Sequence, residues 1–205
     1  MKIYLARHGQ TAWNAEQRWQ GTTDIPLNED GLAQAAKLAE KMTIYPIQKI
    51  YSSPLQRAAV TAQAVAGKFG LSIAYEKELE EIRLGEWEGH TTVEVLAKYG
   101  EKFAIWEENH DVQIGLGVES NYELQQRAWA AFDAICKKET TDTLIVSHGA
   151  WINRLLCKLL HIPLQHRMSF HMSNVGLSIV NCQKDGDLRK YTVVTVNDES
   201  HLAGT

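Results

Sequence analysis

The sequence predicts an α/β fold: a three-layer sandwich with a mostly parallel central sheet, helices on both faces and a β-hairpin at one edge. Two observations carry this reading. Short apolar runs that suit buried strands alternate with longer stretches whose apolar residues recur at helical spacing. The last two runs instead alternate as strands around Asp185-Gly186, a hairpin-turn pair.

Taken in order, Ile3 to Ala6 is short and apolar and reads as a buried strand. A loop-like segment with two tryptophans runs to about Asp24. Asn28 then caps a helix with Leu32, Ala35, Ala36, Ala39 and Met42 on its apolar face. Ile47 to Tyr51 is the second strand. Ser53 as cap and Pro54 at the first helical position start the next helix, with Leu55, Ala58, Ala59, Ala62, Val65 and Ala66 inside and Gly70 at its end. Leu71 to Tyr75 is a third strand. Residues 81–120, rich in Gly and Glu, read as irregular or as short helices. Ser120 and Glu123 form a capping box for a helix to about Lys138. Thr143 to Val146 is the fourth strand, and the helix after it buries Ile152, Leu155, Leu156 and Leu159. Val175 to Cys182 and Leu188 to Val196 make the hairpin.

A length of 205 residues suits one domain, 1–205. The formal charge of −4 and the absence of a basic run argue against nucleic acid or an acidic membrane as partner. Cys136, Cys157 and Cys182 are widely spaced and odd in number, which fits buried thiols in a reducing compartment. Arg7 interrupts the apolar start too early for a signal peptide, and no stretch has the length of a membrane span. The cytoplasm is the expected location.

In parallel sheets ligands bind beyond the carboxyl ends of the strands. The first strand is followed by Arg7-His8-Gly9-Gln10-Thr11 and the second by Ser52-Ser53-Pro54-Leu55-Gln56-Arg57. Glu81 follows the third, and Ser147-His148-Gly149 the fourth. Two arginines, two histidines and a carboxylate on one rim suit a phosphoryl group. Guanidinium forks match phosphate bidentately, and nearby cations keep an imidazole neutral and nucleophilic. A cation at Arg57, in the first turn of a helix, opposes the helix dipole, which points to an anion nearby. His148 is placed to donate to a phosphoryl oxygen and Glu81 to act as acid and then base. His161, His166 and His171 lack metal-ligand spacing, so no metal or other cofactor is expected.

These blocks resemble the histidine phosphatase superfamily, in the branch shared with cofactor-dependent phosphoglycerate mutases. Arg7-His8-Gly9-Gln10-Thr11-Ala12-Trp13-Asn14 is similar to its R-H-G-x-T-x-x-N signature, and the segments around Gln20-Gly21, Asp24, Arg57-Ala58, Glu81, Gly85, Trp87-Glu88-Gly89 and Ser147-His148-Gly149 follow in the family's order. The resemblance implies a phosphoglycerate mutase-like fold, His8 as phosphoryl acceptor, and Arg7, Asn14, Arg57 and His148, with Gly149 beside it, around the phosphoryl group. Gln20 and Thr23 would touch phosphate or substrate. The proton donor would be Glu81, chosen over Glu80 by its spacing to Gly85 and Trp87. Gly117-Val118-Glu119-Ser120 also resembles a family segment, but its Ser120 reads first as a helix cap.

The implied activity is metal-independent hydrolysis of a small-molecule phosphate monoester by a monomer or homodimer. Alternatives are a phosphoglycerate mutase, an α-ribazole phosphatase of cobalamin synthesis, or a silent binding module, the last disfavoured because nucleophile and acid are both present. Between Leu84 and Gln126 the only cations are Lys98 and Lys102, which departs from the mutase pattern and favours hydrolysis of less charged esters. Residues 84–120 are expected to form a specificity insertion or lid, with Trp13 and Trp106 as candidate contacts for an apolar leaving group.

Overall fold

A computed structural model describes residues 1–185 and 188–203. Lys2–Arg7 forms β1, Lys49–Ser52 β2, Ile73–Tyr75 β3 and Thr143–Ser147 β4. Leu177–Asp185 and Leu188–Asp198 form β5 and β6. The sheet order is β3-β2-β4-β1-β5-β6. The first four strands run parallel, and β5 joins β1 antiparallel, so the hairpin occupies one edge. Asp185 pairs with Leu188; Gly186 of the predicted turn lies outside the described residues.

The helices are α1 (Ala12–Ala15), α2 (Glu29–Met42), α3 (Gln56–Phe69), α4 (Thr92–Glu108), α5 (Asn121–Lys138) and α6 (Gly149–Leu159). Side chains alternate across β1, and both faces are buried, as a parallel sheet requires. Ile3 and Leu5 join one apolar cluster with Leu124, Phe132 and Leu155 of α5 and α6. Tyr4 and Ala6 join the other with Leu38, Met42, Ala62 and Val65 of α2 and α3. Each large side chain so buried stabilises the fold by about 1.5–3 kcal/mol. Helices therefore cover both faces, giving the three layers expected. Among the described residues, no helix is long and apolar enough to cross a membrane.

Four local expectations are corrected. In α2 the inward face is Gly31, Ala35, Leu38, Ala39 and Met42, with Leu32 and Ala36 exposed. The cause is a close backbone approach: a Cβ on Gly31 would lie 2.0 Å from the Gln10 carbonyl oxygen. That contact fixes the rotation of the helix against the loop after β1. Ser53 does not cap α3, whose N-cap is Leu55. Asp24 instead accepts from the Gln56 amide at 2.7 Å and from its side chain at 3.0 Å, and the Ser53 hydroxyl meets the Leu55 amide and a buried histidine. The segment 81–120 is not irregular throughout, because α4 runs for 17 residues with a kink at Tyr99. Its start is a capping box of Thr91 and Glu94. Finally, Thr11 caps the short α1 inside what reads as loop.

Candidate active site

β1 and β4 are neighbours, and the His8 amide donates to the Ser147 carbonyl at 3.0 Å. The two histidines that follow these strands are therefore brought together by the sheet register itself. Their rings lie 5.1 Å apart, centroid to centroid. His8, His148 and Arg57 are all buried. His8, Arg7, Arg57, Glu81, Asn14 and Gln20 line one cavity of about 200 Å³.

The hydrogen bonds fix the chemistry of each ring. His8 Nδ1 lies 2.6 Å from the Gly9 carbonyl oxygen. A carbonyl can only accept, so Nδ1 carries the proton and the neutral ring keeps its lone pair on Nε2. Burial holds the His8 imidazole well below the usual histidine range, and the positive charges of Arg57 and Arg7 add to that. His148 is depressed in the same direction, by burial first and then by Arg57. Arg57 donates from Nε to His148 Nδ1 at 3.2 Å, so that nitrogen accepts and Nε2–H donates to the Ser53 hydroxyl at 2.8 Å. As placed, His148 aligns Arg57; donation to a phosphoryl oxygen would require Nε2–H to exchange Ser53 for it.

Arg57 also donates to the carbonyls of Thr23 and Gly21 at 2.8 and 2.7 Å. Burial lowers its pKa to about 10, with Glu81 and Asp24 opposing, so it is a cation at neutral pH. Arg7 donates from Nη1 to the Met172 carbonyl at 2.6 Å, while its buried Nε has no partner. Gly149 makes room for it: a Cβ there would lie 3.3 Å from Arg7 Nε. A half-buried guanidinium whose buried Nε is unsatisfied, beside a neutral imidazole, is an arrangement suited to an anion.

Glu81 is held at the N-terminus of α6, where Oε2 accepts from Ala150 and Oε1 from Trp151, at 3.0 and 3.1 Å. Glu81 lines the cavity and Glu80 does not. The Oδ1 atom of Asn14 accepts from the Thr11 amide at 3.1 Å, and Gln20 Oε1 accepts from the Thr11 hydroxyl at 3.0 Å. Thr23 is not brought into the cavity; its hydroxyl and amide both donate to Glu88. Trp13 packs on Gly89 instead, and Trp19 is the tryptophan that lines the cavity.

Several supporting residues were not identified from the sequence. Glu88 holds the loop 21–23 through the Thr22 and Thr23 amides. Glu119 is buried and pairs with Arg127 at 3.0 Å. Arg127 in turn donates to the carbonyls of Glu78, Glu80 and Glu81, so this pair clamps the loop that carries Glu81. The G-x-E-S segment was its visible signal. Arg154 and Arg167 line a second cavity of about 390 Å³ that shares Arg7, Trp19, Glu81 and Ala150 with the first. The count of cations between Leu84 and Gln126 therefore does not describe the cavity, because these two arginines come from α6 and the turn after it. Among the described residues, no cluster of three His, Cys, Asp or Glu side chains is placed to hold a metal ion.

The family profile of the histidine phosphatase superfamily (branch 1) matches residues 3–199. "Phosphoserine phosphatase 1" of Hydrogenobacter thermophilus is 32% identical over 204 residues, covering 98% of this chain and 94% of that protein. "Probable phosphoglycerate mutase GpmB" of Yersinia pestis is 32% identical over 206 residues, covering 98% and 95%. A solved phosphoserine phosphatase from Entamoeba histolytica, in complex with phosphoserine, superposes with a TM-score of 0.85 at 29% identity, covering 98% of each chain. With a profile match along almost its whole length and relatives aligned nearly end to end, this chain belongs to the histidine phosphatase superfamily.

Proposed function

We propose that this chain hydrolyses small-molecule phosphate monoesters through a phosphohistidine formed on His8. The observation that carries the reading is the His8 tautomer. Its Nδ1–H is committed to the Gly9 carbonyl, so the Nε2 lone pair is the reactive atom in a cavity walled by Arg7 and Arg57.

In the first step Nε2 attacks phosphorus and the ester P–O bond breaks. Protonated Glu81 gives its proton to the departing alkoxide. The ring becomes an N-phosphorylated imidazolium, stabilised by the Nδ1–H bond to Gly9. In the second step Glu81 takes a proton from water, the oxygen attacks phosphorus, the P–N bond breaks and phosphate leaves. Arg7, Arg57 and Asn14 would hold the transferred group, with Gln20 beside them. In such a transfer, positioning and charge stabilisation supply most of the rate. His148 would keep the Arg57 fork aligned. Residues 84–120 would act as the specificity element, through Trp106 at the rim of the second cavity.

The three cysteines are buried and free, which supports a reducing, cytoplasmic setting. The names of the relatives place phosphoserine and phosphoglycerate at the head of a substrate panel, with α-ribazole phosphate and nucleotide monophosphates behind them. A phosphate-release screen across that panel tests the proposal. Release of inorganic phosphate is expected, and transfer to added monophosphoglycerate without release would replace hydrolysis by mutase chemistry.

A further inference from the structure

We propose that Arg154 and Arg167 form a second anion subsite that binds a carboxylate on the alcohol portion of the ester. The proposal deepens the phosphatase reading and rests on it for the identity of that alcohol. The cavity they line adjoins the one at His8, and Glu81 belongs to both. A leaving alcohol protonated by Glu81 would thus lie between the two cavities, with its substituents in the larger one.

Arg154 is buried, and its partners are neutral. Nε and Nη2 donate to Asn121 Oδ1 at 3.1 and 2.8 Å, and Nη1 donates to Asn153 Oδ1 at 2.9 Å. Among the described residues, no carboxylate forms an ion pair with it. Arg167 is also buried. It pairs with Glu107 through Nη2 and donates from Nη1 to the Leu164 carbonyl at 3.2 Å, and its buried Nε has no partner. Its guanidinium lies 5.7 Å from the Trp106 ring centroid, which limits its movement. The two arginines repel each other; burial and the charge of Arg167 both lower the Arg154 pKa, though only to about 10, so it remains charged.

Of the two guanidiniums, Arg167 has an ion-pair partner in Glu107 and Arg154 has none among the described residues. Taking such a charge out of water costs several kcal/mol unless an opposite charge meets it. The fixed Asn121 and Asn153 oxygens orient the Arg154 fork but do not neutralise it. Three of the five Arg154 donors are taken by the two asparagines, so a carboxylate would accept from the two Nη hydrogens that are left and from the unpartnered Arg167 Nε; a planar monoanion suits that set, and a second phosphate, with nearly two charges, would exceed it. Glu81 also acts on Arg154, but its one negative charge is shared with Arg7 and Arg57 of the first cavity, so it does not balance the pair.

The test is calorimetric binding in a His8→Ala background, which removes turnover, with three ligands sharing one phosphoryl end. These are 3-phosphoglycerate, glycerol 3-phosphate and glycerol 1,3-bisphosphate. The carboxylate ligand is expected to bind about 10- to 100-fold more tightly than glycerol 3-phosphate, the range of a charge-assisted hydrogen bond. Arg154→Gln should shrink that ratio to less than about three-fold, and Arg154→Lys, which keeps the charge and loses the fork, should leave an intermediate ratio. Equal binding in the parent, tighter binding of the bisphosphate, or an Arg154→Gln protein that weakens all three ligands alike would overturn the proposal. Should Arg154→Gln fail to fold, Arg167→Gln and the parent comparison decide. The phosphate-release screen on the wild-type chain is independent: a carboxylate preference in binding without release would sink the phosphatase reading and leave the subsite standing.

Discussion

At the ends of β1 and β4 the working side chains are buried and most of their polar atoms are committed. His8 is tied to Gly9, His148 to Arg57 and Ser53, and Arg57 to two carbonyls. Across the cavity, the α4 arm (Thr92–Glu108) is built differently. α4 is kinked at Tyr99 and presents Val93, Leu96 and Ile105 to solvent. It is anchored mainly by Trp87, Val95 and Trp106 packed with Trp19 and Phe103. The contrast teaches where change is tolerated. Groups fixed by sheet register can serve one chemistry, while an arm held by a few aromatic contacts can vary and choose among leaving groups.

If the two halves divide the labour in this way, damage to the first should affect every ester and damage to the second only some. The largest effect is expected for His8→Ala, which should abolish turnover of all monoesters in a phosphate-release assay. Glu81→Gln follows. It should slow alkyl esters by about 10²- to 10⁴-fold and aryl phosphates, whose leaving groups need little protonation, far less. Equal slowing of both would assign the acid elsewhere.

Glu119→Gln removes the charge that pairs with Arg127 and so loosens the loop under Glu81. Breaking a buried pair from one side costs about 3 kcal/mol, to be read from denaturant unfolding. The loss should appear in kcat more than in KM, because Glu119 touches no substrate atom in this account. An unchanged kcat would reduce the clamp to a purely structural feature.

Acid should also act on the strand-end half. His8 and His148 have folded-state pKa values held well below the ordinary one, mainly by burial. Their unfolded forms take up protons near pH 6.5 while the folded forms do not. Stability is therefore complete above about pH 6.5 and declines as the pH falls toward the folded-state values. The slope for each buried histidine is about 1.4 kcal/mol per pH unit in that window. Unfolding midpoints measured from pH 7.5 down to 5 check the sign; greater stability at the lower end would refute the neutral assignment. The smallest effect is expected in the arm. Trp106→Phe, which weakens the contact with Arg167, should change the preference between leaving groups by about three- to ten-fold. A uniform loss over all esters would erase the proposed division.

The legibility of the sequence follows the same line. Apolar runs at Ile3–Ala6 and Thr143–Val146 are visible because strands buried on both faces must be apolar, and the residues after them then fall on one rim. The rotation of α2 was not visible, because it depends on how closely Gly31 approaches Gln10. Ser53 misled as a cap because Asp24, distant in the chain, satisfies the helix start instead. α4 was hidden by its kink and by Gly and Glu content, although Thr91 and Glu94 carried the capping signal. Arg154 and Arg167 were missed for a different reason. Arg154 shares α6 with Lys158, and nothing in the sequence says which of the two charges faces a cavity; the packing of α6 against α5 turns Arg154 inward, and the turn after α6 brings Arg167 beside it.

The account rests on His8 Nε2 as the atom that accepts the phosphoryl group. The most direct measurement is rapid acid-free quenching of the wild-type chain with an aryl phosphate, followed by mass spectrometry of the intact protein and its peptides. The prediction is one phosphoryl group per chain, labile to acid and stable to base, on the peptide that contains His8, and absent from His8→Ala. Turnover without any such adduct, with an adduct on His148, or with activity retained in His8→Ala would contradict it.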